Sequence, residues 1–203
     1  MSGHHDSSVI SARVRHVEAL LEARGLLDGG EIDTRIDEFL AGGTPANGAR
    51  IVARAWVDAG FTDRLLADVS TAIGEVGLSM AGGLQEQRLE VVAHTAEEHN
   101  VLVCTLCSCY PIALLDPSPS WYKSEAYRSR VVRDPRGVLA EFGLQLPAGT
   151  SIAGWDASAE FRYLVLPRRP GGTGGLTEEA LAGLVTRKGL IGTAAVWGNR
   201  LAR

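Results

Sequence analysis

All three cysteines of this 203-residue chain fall in one short run, Cys104-Thr105-Leu106-Cys107-Ser108-Cys109. An odd, clustered set cannot cross-link distant parts of a secreted fold, so the chain must be held by an apolar core and not by disulfide staples. Apolar residues make up 45% of the sequence, an ordinary share for a globular protein. The length suits one domain, or one domain with an appended arm. A net charge of −4 and a pI near 5.7 give no reason to expect nucleic acid or a membrane surface as partner. No apolar run approaches the roughly 20 residues of a spanning helix. The opening residues Met1 to Asp6 lack the features of a signal peptide, and a cytoplasmic location is expected.

Apolar residues Val9, Val14, Val17, Leu20 and Leu21 recur at helical spacing, with Gly25 as a stop signal. Further helices are expected over Ile32–Leu40, Ala49–Val57 and Phe61–Glu75. Residues 1–80 therefore read as a helical arm that lies on a partner. The character changes after Gly82-Gly83. Leu89–Ala93 and Val101–Val103 look like strands, and the cysteine run follows the second directly. Prolines 111, 117 and 119 predict an irregular loop. Helices are expected over Ser124–Val132 and Asp134–Phe142, strands over Ser151–Asp156 and Glu160–Leu166, and a last helix from Thr177 to about Arg187. The expected fold is α+β: the helical arm, then a small sheet with helices around it over 81–203.

The pattern Cys-x-x-Cys-x-Cys has a definite geometric capacity. Cys107 and Cys109 can bring two sulfurs to one ion, and the amide nitrogens of Ser108 and Cys109 lie between them. Two sulfurs and two deprotonated amides can complete a square plane, with Cys104 on one axial position and the other left open. An open position separates a catalytic metal site from a closed structural one. Such donors suit a trivalent ion better than zinc. The spacing permits this without establishing it. Three cysteines with His94 or His99 could form a closed zinc site, and Cys104 with Cys107 could be a redox pair.

The segment Val103 to Pro111 resembles the metal-claw signature of nitrile hydratase alpha subunits. The similarity extends to Asn47–Asp58, to Trp121–Ser124 with Tyr127–Val132, to Asp134–Leu139, and to Arg169-Pro170-Gly171-Gly172-Thr173. It covers the chain from about Val9 to Thr193. The resemblance implies a Co(III) centre held by Cys104, Cys107, Ser108 and Cys109. Thr105 matches the cobalt-type motif, where iron-type members usually carry serine. It also implies Cys104 as a thiolate, Cys107 as sulfinic acid and Cys109 as sulfenic acid. The implied reaction is hydration of a nitrile to an amide, with the trivalent metal as Lewis acid. Hydroxide on the metal, a nearby water or the sulfenate oxygen of Cys109 could be the nucleophile. Ser108 and Gln85 would hydrogen-bond near the reacting centre. The implied partners are a beta-type subunit, as one chain or split into two, and a helper protein that inserts the metal. The chain would be inactive without the beta-type subunit, whose arginines would meet the oxidised sulfurs.

Ile112 stands where most family members place a pocket tryptophan, and Trp121 is expected to line the same pocket. The smaller side chain points to an unusual substrate, such as a bulky heteroaromatic or nucleoside nitrile. The nearest rival is the gamma subunit of thiocyanate hydrolase, which carries a similar claw; a neutral Ile112 fits an anionic substrate poorly. A rival of another class is a non-catalytic zinc-binding assembly subunit.

Overall fold

The computed structural model describes residues 3–80, 87–106 and 109–196. The chain divides into two compact units, 1–41 and 42–203. The first is built on two helices, α1 (Gly3–Glu22) and α2 (Gly29–Gly42). Gly25, at φ +65°, allows the chain to leave α1 in a conformation that costs other residues strain. Asp28 starts α2 by accepting from the amides of Gly30 and Glu31. The apolar residues Val9, Ile10, Val14, Val17 and Leu20 of α1 are exposed.

In the second unit, helices α3 (Pro45–Val57), α4 (Ala59–Ala67) and α5 (Val69–Glu75) come first. Expectation and structure differ here. The helices between 45 and 75, assigned to the arm by sequence, contribute Ile51, Val52, Phe61, Leu65 and Ile73 to the main core. An amphipathic stripe shows that a helix buries one face but not which surface it buries against. The helix expected over 61–75 is also broken in two. Asp68 accepts from the amide of Thr71 and caps α5, just as Asp58 accepts from the amide of Phe61 to cap α4.

Among the described residues four strands follow: β1 (Arg88–Ala93), β2 (Glu98–Val103), β3 (Ser151–Asp156) and β4 (Phe161–Leu166). They form two parallel pairs, β1 with β4 and β2 with β3. The fold is α+β. The β2 residues Val101, Leu102 and Val103 are all buried, as expected of a strand covered on both faces. Between β2 and β3 lie α6 (Ile112–Leu115), a 3-10 turn (Ser120–Lys123), α7 (Glu125–Arg133) and α8 (Pro135–Glu141). The single last helix expected over 177–187 is instead two short ones, α9 (Glu178–Ala182) and α10 (Arg187–Ile191), the second capped by Thr186.

Asn100 joins three strands. Its Nδ2 donates to the Ala93 carbonyl, its Oδ1 accepts from Trp155 Nε1, and its amide donates to His94 Nδ1. A buried side chain with this many partners ties β1, β2 and β3 together. Among the described residues no helix is long and apolar enough to cross a membrane.

Candidate metal centre

Strand β2 delivers Cys104, whose side chain is buried, and the chain then turns sharply outward. Leu106, two residues later, is 88% exposed. Cys104 is buried, and Cys109 is half-buried where the loop returns to the core. Cys107 and Ser108 lie outside the described residues, as does Gln85. Among the described residues no three His, Cys, Asp or Glu side chains converge as a metal site.

Side chains from three other elements hold this loop and the strand that leads into it. Asp156, the last residue of β3, takes the Thr105 amide at 2.9 Å and the Thr105 hydroxyl at 2.5 Å. Tyr122 donates its hydroxyl to the Cys109 carbonyl at 3.1 Å. Tyr127 on α7 donates to the Leu102 carbonyl at 2.6 Å, and Arg128 Nη1 reaches the Thr105 carbonyl. Burial holds the tyrosines at 110, 122 and 127 protonated well beyond the usual phenol range, so each hydroxyl keeps a proton to donate. These holding residues were missed by sequence reasoning. The signal lies in the β2–β3 register, which sets Val103 opposite Asp156 and so brings a carboxylate level with the start of the loop.

Ile112 opens α6 and is half-buried against the core. Trp121 packs on Tyr127 at 4.9 Å and on Phe142 at 4.7 Å between ring centroids. An open hollow beside the loop is lined by Thr105, Glu125, Arg128, Ser129, Val132 and Arg133.

His94 and His99 stack at 4.0 Å. His94 Nδ1 accepts from the Asn100 amide, and His99 Nε2 lies 2.7 Å from the Gly192 carbonyl. A carbonyl only accepts, so His99 carries its proton on Nε2. Burial and mutual repulsion push His94 down to about 3, and burial lowers His99 as well. Each ring thus spends one nitrogen on a backbone partner.

The family model for the nitrile hydratase alpha chain matches residues 8–194. The alpha subunit of the low-molecular weight cobalt-containing nitrile hydratase of Rhodococcus rhodochrous is 51% identical over 185 residues, spanning 91% of this chain and 88% of its own. Thiocyanate hydrolase subunit gamma of Thiobacillus thioparus is 45% identical over 158 residues, spanning 74% of this chain and 65% of its own. Among solved structures, a double mutant of the Fe-type nitrile hydratase from Comamonas testosteroni Ni1 superposes with a TM-score of 0.84 at 35% identity, covering 97% of this chain and 98% of that one.

Proposed function

The chain belongs to the nitrile hydratase alpha-chain family, and from that premise we propose that it is the catalytic subunit of an enzyme that hydrates a nitrile to its amide at a cobalt(III) centre. The observation that carries this reading is the family match through the cysteine run. The donor chemistry fits such an ion: cysteine sulfurs stand at both ends of the loop, Cys104 at the end of a buried strand and Cys109 where the loop re-enters the core. Cys104, Cys107 and Cys109 would hold the metal through sulfur, and Ser108 and Cys109 through their amides. When bound, the trivalent ion supplies Lewis acidity towards the nitrile.

This chain's own residues would do the rest. Ser108 and Gln85 would orient the attacking water. One oxygen from water adds to the nitrile carbon and a proton passes to nitrogen, and tautomerisation gives the amide. Oxidation of Cys107 to sulfinate and Cys109 to sulfenate would draw electron density from the centre and offer oxygens to charged donors on a neighbour.

A beta-type subunit, as one chain or split into two, is the natural occupant of the exposed apolar residues of 1–41 and of the surface around Leu106. A helper protein would insert the metal, since trivalent cobalt exchanges ligands slowly. Clustered thiols, to be kept reduced until then, fit a cytoplasmic setting.

Ile112 in place of tryptophan supports a roomier pocket beside Trp121, suited to a bulky heteroaromatic or nucleoside nitrile. The thiocyanate hydrolase relative favours a second reading as a gamma-type subunit. The two separate in one assay, in which the assembled complex is given an aromatic nitrile and thiocyanate side by side. Amide from the first and nothing from the second is expected. Carbonyl sulfide from thiocyanate with no amide would replace the first reading by the second.

A further inference from the structure

We propose that Tyr122 and Asp156 are positioning residues that fix the two ends of the cysteine loop and so set the spacing of its donors before an ion arrives. The proposal rests on the reading of that loop as a metal claw. Neither residue need touch the ion, and both act on the backbone of the loop.

At the first end, Asp156 engages both polar groups that Thr105 can donate, the amide at 2.9 Å and the hydroxyl at 2.5 Å. Binding both to one carboxylate fixes the backbone and the side-chain rotamer of Thr105 together. The amide of Thr105 belongs to the peptide unit that leaves Cys104, so the direction of the chain away from the buried thiol is set there. Asp156 is itself placed by β-pairing, since it stands opposite Val103 in the β2–β3 register.

At the second end, the Tyr122 hydroxyl donates to the Cys109 carbonyl at 3.1 Å. Tyr122 is 1% exposed, and its ring is boxed edge-on by Tyr110 at 5.1 Å and Trp121 at 6.1 Å. The ring cannot swing, so the hydroxyl is a fixed point and the Cys109 peptide plane is oriented by it. Both anchors use a carbonyl, an amide or a hydroxyl outside the expected donor set. Holding donors in place through supporting hydrogen bonds reduces the reorganisation that binding demands.

The test compares Tyr122→Phe, Asp156→Asn and the double variant in the full complex, co-expressed with partner and insertion helper. Tyr127→Phe is the control, because it also removes a buried hydroxyl but one bonded to Leu102 within β2. Three quantities are read: cobalt per chain, the sulfur-to-metal absorption band, and amide exchange across 104–110. The proposal expects a shifted band and several-fold lower cobalt in Tyr122→Phe and Asp156→Asn, with the double variant worse than either. Exchange at Thr105 should quicken about tenfold in Asp156→Asn, the loss of roughly one good hydrogen bond. Tyr127→Phe should lower the melting temperature while leaving the band in place. Wild-type band, cobalt and exchange in both anchor variants would overturn the proposal, as would a band equally shifted in Tyr127→Phe. If the wild-type complex takes up no cobalt, the metal reading fails by itself, and the anchors are still judged by amide exchange.

Discussion

Single side chains bear on two things, the proposed pocket and the tightness of the fold. Ile112 begins α6 just after the cysteine loop, at the position where the family resemblance expects tryptophan. Restoring the indole in Ile112→Trp should narrow the pocket. The expected result is a loss of about tenfold or more in kcat/KM for a bulky heteroaromatic nitrile, with small aliphatic nitriles little affected. Parallel kinetics on the two substrates check this, and equal losses on both would indicate general damage to the site. Gly192 makes a different kind of demand. It sits at φ +85°, and a Cβ there would lie 2.0 Å from the Asn100 carbonyl oxygen. Gly192→Ala combines a left-handed penalty with a backbone clash and should cost about 2 kcal/mol or more, seen as a lowered melting temperature. The same glycine offers its carbonyl to His99, so the damage should reach the strand that carries Cys104.

The elements around the loop are coupled through His94, just after β1, and His99 within β2. Both rings are held neutral in the fold, His94 down to about 3 from an ordinary value of 6.5, chiefly by burial, then by His99 and by the Arg168 guanidinium. His99 is lowered by burial against the opposing pull of the Gly192 carbonyl. The unfolded chain therefore binds protons that the folded chain refuses. Stability from this source is fully present above about pH 6.5 and is lost as pH falls from there towards 3. Chemical denaturation between pH 7 and 4 should show a falling midpoint, and His94→Gln should flatten that fall. A midpoint that declines equally in His94→Gln would place the acid sensitivity elsewhere. Strands and loop position at this scale were legible in the sequence. Strand segments were expected close to all four of β1 to β4, and the cysteines marked the loop. The parallel pairing of β1 with β4 and β2 with β3 was not legible, because it joins segments tens of residues apart and leaves no local trace. Asp156 and Tyr122 were invisible for the same reason, since each earns its role only once register or ring packing brings it to the loop. The short breaks at Asp68 and Thr186 were missed because a capping side chain interrupts an otherwise helical apolar pattern.

For the whole molecule, the division falls after Ala41, with the cysteine loop and the core on the larger side. The helices of 45–75 belong to that core, while 1–41 carries a row of exposed apolar side chains. Val14 is 59% exposed and Val17 54%, so charged replacements there should leave the chain's own melting temperature within a narrow range. Val14→Asp with Val17→Asp should instead weaken assembly with a beta-type subunit, read as a loss of the complex on size-exclusion chromatography. Unchanged assembly would remove these residues from the proposed interface. The central claim concerns what the cysteine run becomes in the assembled protein. It is tested most directly by metal analysis together with mass spectrometry of the peptide from Cys104 to Cys109, on complex made with its partner and insertion helper. The account predicts cobalt with three added oxygens, two on Cys107 and one on Cys109. Zinc with unmodified thiols in a complete complex would contradict it.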